Sequence, residues 1–229
     1  MPLSTRMRAA AASASVTTTP PTLVSTANTG TLVTTTPQTL AGITVQTGDI
    51  VVLAGYTSDT PNTLATPTGG GLTWTLRQFA TYSSRAPVYI WTATATSSQT
   101  FTASVARTAG TYPWGFVVSV WRGSDGVGAS AQDVGSGTPS LGITTTYANS
   151  ALAVVSTDWN ANNGASRVWL QVNGASPVEQ AYFYNATYMT AYAAYYADAG
   201  SVGAKTVGLS APAAQQYEIV AVEVRGHTA

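Results

Sequence analysis

Nucleophilic catalysis of the Ser-His-Asp kind needs a general base, and the chain holds a single histidine, His227, close to its C-terminal end. A residue so near a chain end is expected to fray and to serve poorly as a base. With one histidine and no cysteine, the common transition-metal ligand sets are also missing. Glycoside hydrolysis asks for two carboxylates flanking one bond. Asp59, Asp158, Glu179 and Asp198 fall in or near expected loops, but their spacing carries no paired signature. Solvated loop acids and Asx-turns explain them better, so a glycoside hydrolase remains a remote alternative. The stretch Asp158-Trp159-Asn160-Ala161-Asn162-Asn163-Gly164 offers several oxygens to calcium but only one carboxylate. A polar turn is the expectation. No catalytic residue, no metal site and no cofactor is assigned.

Aromatic residues are the remaining candidates, with six Trp and twelve Tyr. Tyr182, Tyr184, Tyr188, Tyr192, Tyr195 and Tyr196 crowd one segment. Tyrosine suits core packing, subunit interfaces and sugar stacking alike. Trp159 sits in a polar loop and is the aromatic most suspected of exposure. The contacts expected for a ligand or an interface are Trp159, Asn160, Tyr182, Tyr184, Tyr192 and Tyr195.

The elements that must carry these residues read as strands. From Leu23 onward, short runs rich in Val, Ile, Thr, Tyr and Trp are broken by Gly, Pro, Asn and Asp, as in antiparallel folds. Strands are expected over 49–56, 73–79, 88–95, 100–105 and 115–122, then 150–156, 167–172, 181–185, 190–197, 205–209 and 218–225. Val88 and Ile90 share one face of their strand, and Tyr89 and Trp91 the other. Both faces being apolar, one should meet the core and the other a loop or a partner. The run Ala191–Ala199 has helix-forming alanines, yet its tyrosines favour a strand.

The first half of the chain resembles the second. Gly48-Asp49-Ile50-Val51-Val52-Leu53-Ala54 matches Asn149-Ser150-Ala151-Leu152-Ala153-Val154-Val155. Phe116 to Gly123 matches Ile219 to Gly226. Val51 thus aligns with Leu152 and Arg122 with Arg225, offsets of 101 and 103 residues. Such halves, about 30–123 and 140–226, could form two small sandwiches or interleave as the Greek keys of one jelly roll. The second arrangement is expected, within one domain over 23–229. The Gly/Ser-rich join from Ser124 to Ser140 argues the other way, as an interdomain linker. Gly69-Gly70-Gly71 lacks the Lys-Ser/Thr of a phosphate loop and reads as a turn.

Residues 1–22 are small and polar and end in Thr17-Thr18-Thr19-Pro20-Pro21. Adjacent prolines favour extended backbone and cannot donate to a ladder. This is an N-terminal arm, either a loose tail or a strap docking through Thr17, Thr18, Thr19, Pro20 and Pro21 onto a neighbouring subunit. Arg6 and Arg8 precede an alanine run but no apolar h-region follows. No apolar run approaches the length of a membrane span. Synthesis and first folding in a cytoplasm are expected.

Charged residues make up only 8% of the chain, and nine basic residues balance nine acidic ones. Without a basic cluster, the electrostatic drive for nucleic-acid binding is lacking. Low charge weakens the repulsion that keeps proteins apart, which suits a subunit of an assembly, such as a homo-oligomer.

Ile43-Thr44-Val45 with Gly48 to Leu53, then Gly70-Gly71-Leu72-Thr73-Trp74-Thr75-Leu76, Val88 to Ala95 and the closing Val120-Trp121-Arg122-Gly123 resemble β-sandwich virion proteins of actinobacterial phages. The resemblance spans roughly residues 30–226. It implies a non-enzymatic structural protein of a phage virion, a minor tail, tail-tip or capsid-decoration subunit. Its partners would be other virion proteins and its location the virion, assembled in the bacterial host cytoplasm. A carbohydrate-binding module recognising host-surface glycan is the alternative. The resemblance supplies no catalytic residues.

Overall fold

The computed structural model of the chain describes residues 17–58, 63–83 and 85–228. Apart from one 3-10 turn, Gly164–Ser166, every regular element among them is a strand. The all-β antiparallel sandwich is thus observed. Two short terminal strands, β1 (Thr18–Thr19) and β17 (His227–Thr228), pair with each other.

In the first half, β2 (Thr22–Asn28), β8 (Trp114–Arg122), β4 (Ile50–Thr57), β6 (Arg85–Thr94) and β5 (Thr75–Tyr82) form a five-stranded sheet in that order. A second sheet of β3 (Gln38–Val45) and β7 (Gln99–Val105) covers its outer side. The second half repeats the plan. Its five-stranded sheet runs β9 (Val127–Gly137), β16 (Gln215–Val224), β11 (Ala151–Asp158), β14 (Met189–Tyr196) and β13 (Val178–Asn185). Its outer sheet is β10 (Ser140–Thr145), β15 (Gly203–Ala211) and β12 (Val168–Trp169). Taken in chain order, β2 to β8 correspond to β9, β10, β11, β13, β14, β15 and β16, with β12 as the addition.

The interleaved single jelly roll is not what forms. Outside the β1–β17 ribbon, no sheet among the described residues mixes strands of the two halves. Each half closes its own sandwich, and the two five-stranded sheets then pack face to face, giving four layers. The physical reason lies in β4 and β11, which are buried along their whole length. A strand covered on both faces reads as a continuous apolar run. Ile50, Val52, Ala54 and Tyr56 enter the middle core, whereas Val51 and Leu53 enter the outer core of the first half. In β11, Ala151, Ala153 and Val155 face the middle, and Leu152 and Val154 face the outer core of the second half.

The middle core matches large against small. The first half supplies Trp121, Ile50 and Ile90, and the second answers with Ala151, Ala153, Ala191 and Ala193. This explains why the Ala-rich segment is strand β14 and not a helix: it is paired on both sides, with β11 and β13, and its small residues let the sheets approach. The packing is close to a two-fold arrangement. β2 lies over β13 and hydrogen-bonds it, Asn28 Nδ2 donating to Gln180 O at 2.9 Å. At the opposite edge β5 lies over β9, where Gln78 Nε2 donates to Ser130 Oγ at 3.1 Å. Exchanging the halves carries one contact onto the other, as in an isologous dimer.

Two further expectations need correction. The Gly/Ser-rich join is not a linker: Val127–Gly137 is β9, laddered along β16, and only residues 123–126 connect the sandwiches. Its glycines serve packing, since a Cβ on Gly128 would stand 2.1 Å from Glu223 Oε2. The strand expected over 167–172 shrinks to Val168–Trp169, where the register with β15 already shifts, although Leu170 N still donates to Gly208 O of β15 at 2.9 Å. The strand with two apolar faces is β6. Val88 and Ile90 meet the middle core, and Tyr89 and Trp91 the outer one.

Residues 1–16 of the expected arm lie outside the described residues. Pro21 is buried, Thr18 is half-buried, and Thr17, Thr19 and Pro20 are exposed. The segment is held by its own chain through β17 and through Asn149, whose Nδ2 donates to Thr18 O at 2.6 Å.

Candidate functional site

The tyrosine-rich face belongs to β13 and β14. Side chains alternate there, so Ala181 and Phe183 point to the middle core and Tyr182, Tyr184 and Tyr192 to the outside of the sheet. The loop after β11 folds over this outer face. Gly164 makes the fit possible, since a Cβ there would come 2.4 Å from Tyr192 Oη.

Most of the expected contact residues are occupied by the scaffold. The Arg167 guanidinium lies 3.8 Å from the Tyr182 ring centroid, and Tyr192 stacks on the same ring at 5.8 Å. Arg167 is itself held by a bidentate ion pair with Glu179, which also accepts from Trp169 Nε1 at 3.0 Å. Tyr182 Oη donates to Asn163 Oδ1 at 3.0 Å. Tyr192 is fully buried, and burial first, then the charge of Asp158, push its phenol well above the usual range. Tyr195 faces the opposite side of the sheet, edge-on to Trp121 at 5.2 Å.

Trp159 is half-buried beneath Arg85, whose guanidinium lies 4.0 Å from its ring centroid, and Asn160 donates to Ala214 O at 3.3 Å. Tyr184 is the one exposed aromatic of the set, at 42%, and Asn160 is exposed beside Trp159. With Thr31, Leu32, Tyr182, Phe183 and Asn185 it borders a shallow groove of about 250 Å³, so that Tyr182 and Tyr184 share one surface while Tyr192, Tyr195, Trp159 and Asn160 lie elsewhere. The expected residues are therefore not brought together as one platform.

The loop acids are likewise engaged. Asp158 accepts from Asn160 N, Gln216 N, Asn162 N and Asn162 Nδ2, all within 3.0 Å, which fills both carboxylate oxygens with donors. This is the polar turn expected in place of a calcium loop. Asp198 accepts from Gly200 N at 2.7 Å, and Asp59 lies outside the described residues.

Sequence reasoning weighed His227 only as a fraying base and missed what holds it in place. It does not fray, because β17 pairs with β1 and Asp125 Oδ1 meets His227 Nδ1 at 2.7 Å. That hydrogen bond, followed by the one from Thr228 N, holds the Asp125 carboxyl below its ordinary value. Ser124 stands next in the chain, so the residue types of a nucleophilic triad adjoin. Its hydroxyl, however, is turned onto main-chain carbonyls, 2.9 Å from Arg225 O and 3.0 Å from Gly126 O. The set fastens residues 225–228 to the connection between the two sandwiches.

Two buried glutamates were missed as well, Glu218 and Glu223, both fully buried in β16. The signal was available: an acid inside a run as apolar as Glu218-Ile219-Val220-Ala221-Val222-Glu223-Val224 cannot be solvated and must find donors or stay protonated.

Half equivalence shows what Glu223 does. In the first half, Asp49 accepts from Gln46 N at 2.8 Å and from Arg122 Nε and Nη2, closing the turn before β4. Ser150 replaces Asp49 in the second half. The missing carboxylate comes from across the ladder, as Glu223 accepts from Tyr147 N at 2.9 Å. Among the described residues no group of three or more His, Cys, Asp or Glu is placed to hold a metal ion. No helix among them is long and apolar enough to cross a membrane. No family model, no curated protein and no solved structure matches the chain.

Proposed function

We propose that the chain is a non-enzymatic structural subunit of a phage virion, of the minor tail, tail-tip or capsid-decoration kind, docking onto neighbouring virion proteins and onto copies of itself. The observation that carries this reading is where six of the eight large exposed apolar residues among the described ones lie, the other two being Val168 on β12 and Val202 just before β15. Val24 is on β2, Leu76 and Phe79 on β5, Val134 on β9, and Val178 and Tyr184 on β13. These are the four edge strands of the two central sheets. Unpaired edges bearing apolar side chains are templates for pairing with another chain. A nearly uncharged surface leaves little to repel such a neighbour. The interior acids add support, because each serves as an acceptor within the scaffold.

The glycan-binding alternative has less behind it, since sugar stacking needs a free aromatic face and, of the expected aromatics, Tyr182, Tyr192, Tyr195 and Trp159 are covered and Tyr184 alone is exposed. Mass spectrometry of virions banded from an infected-culture lysate should find the protein at a fixed copy number. Immunogold labelling should then place it on the tail or the capsid. Its absence from purified particles would overturn the reading.

A further inference from the structure

The two ends of the seam between the sandwiches are chemically different. At one end Tyr56 of β4 stands opposite Gly115 of β8, and its ring meets Phe183 of the other half at 5.8 Å. At the equivalent place in the second half, Thr157 of β11 stands opposite Glu218 of β16. There Glu218 Oε1 accepts from Tyr82 N at 2.8 Å, and Oε2 lies 2.9 Å from Thr157 Oγ1. Thr157 Oγ1 in turn lies 2.6 Å from Ala86 O. Tyr82 and Ala86 belong to the β5–β6 hairpin of the first half.

A threonine hydroxyl has one proton. A carbonyl oxygen can only accept, and the shorter contact assigns that proton to Ala86 O. The contact between Glu218 and Thr157 then lacks a proton unless the carboxyl supplies it. An ionised Glu218 would set lone pair against lone pair in a site closed to water.

We propose that Glu218 is a protonated carboxylic acid in the folded protein and that its proton fastens the second sandwich to the β5–β6 hairpin of the first. The chain of donors runs from Glu218 Oε2–H to Thr157 Oγ1 and from Thr157 Oγ1–H to Ala86 O. The surrounding charges agree. Asp158 on β11 adds negative charge, Tyr217 on β16 is turned to Asp133, and Arg85 on the hairpin is engaged over Trp159. Burial, reinforced by Asp158, pushes the Glu218 carboxyl up to about 9.

The linkage has a definite sign. A carboxyl whose folded value is raised binds its proton in the native state while the unfolded chain has released it. Stability from this group is therefore complete below about pH 4.5 and is lost as pH rises towards about 9. The other end, Tyr56 on Phe183, has no group titrating in that range, so the seam loosens from the hairpin side alone.

The test is Glu218→Gln. A carboxamide donates to Thr157 Oγ1 and accepts from Tyr82 N without titrating. Its melting temperature should match the wild type near pH 5 and exceed it increasingly between pH 7 and pH 9. Parallel pH profiles for the two proteins would overturn the proposal. Should the variant fail to fold, carboxyl carbon-13 shifts of the wild type decide. Glu218 must titrate above pH 7, and titration near pH 4 would refute it.

Discussion

Replacing Glu223 with alanine is expected to remove about 3–5 kcal/mol of stability, because each buried donor left without a partner costs about 1–3 kcal/mol. Its carboxylate accepts from the backbone N–H groups of Ala129, Thr146 and Tyr147 and from the hydroxyls of Thr146 and Ser150. These tie β16 to β9 and to the turn between β10 and β11. A loss of that size in a chain of this length lowers the melting temperature by roughly 10 °C. Glutamine should not rescue it, since its amide end would point two hydrogens at a cluster of donors. The contrast with Glu218, where glutamine fits, separates an ionised buried acid from a protonated one.

The two acids also oppose each other in pH. Burial acts to raise the Glu223 carboxyl, but its donors outweigh burial and hold it below its ordinary value. Its contribution is present above the unfolded value near 4.5 and is lost as pH falls through the depressed folded value. Acid unfolding of the wild type should begin below pH 4.5, and in Glu223→Ala this acid-dependent component should be gone. Circular dichroism across pH 2–6 measures both.

Trp121→Ala is the second large effect. Trp121 is fully buried in the middle core, donates from Nε1 to Ser119 Oγ at 3.0 Å, and meets Tyr195 of the other half edge-on. Truncating a tryptophan in such a position costs about 3–5 kcal/mol. The alanines opposite it cannot fill the void. Because the cavity opens between the halves, strands of both should lose protection against hydrogen exchange together. Protection lost only in the first half would show that the seam is not a common core.

Those alanines also mark how far the fold could be read from sequence. Short β-type runs bounded by Gly, Pro, Asn and Asp identified most strands, and β14 was legible despite its helix-forming alanines because of its tyrosines, with Thr190 before them and Gly200 after. β3 and β10 went unread since each has one exposed face of Thr, Ala and Gly, which looks like loop. β9 went unread for the same reason, its Gly/Ser-rich composition allowing a linker: it is an edge strand whose partner β16, not its own residues, makes it a strand. The face-to-face arrangement was written in the full burial of β4 and β11, but a continuous apolar run does not say whether a sheet or a loop covers it.

The candidate residues fared less evenly. Tyrosine density was visible, yet whether a ring is free depends on Arg167, which follows the 3-10 turn, and on Arg85, which opens β6 in the other half. His227 was misjudged because nearness to the chain end in sequence says nothing about β17 pairing with β1. Ser150 standing where the first half has Asp49 was a substitution in plain view. Its compensation by Glu223 required knowing the register of β11 with β16.

The two sandwiches form one body through their shared middle core, joined covalently only by residues 123–126. A protease site inserted between Gly123 and Ser124 tests it most directly, with calorimetry before and after cleavage. The cut halves should co-elute and melt in one transition. Separation into two species that melt independently would contradict it.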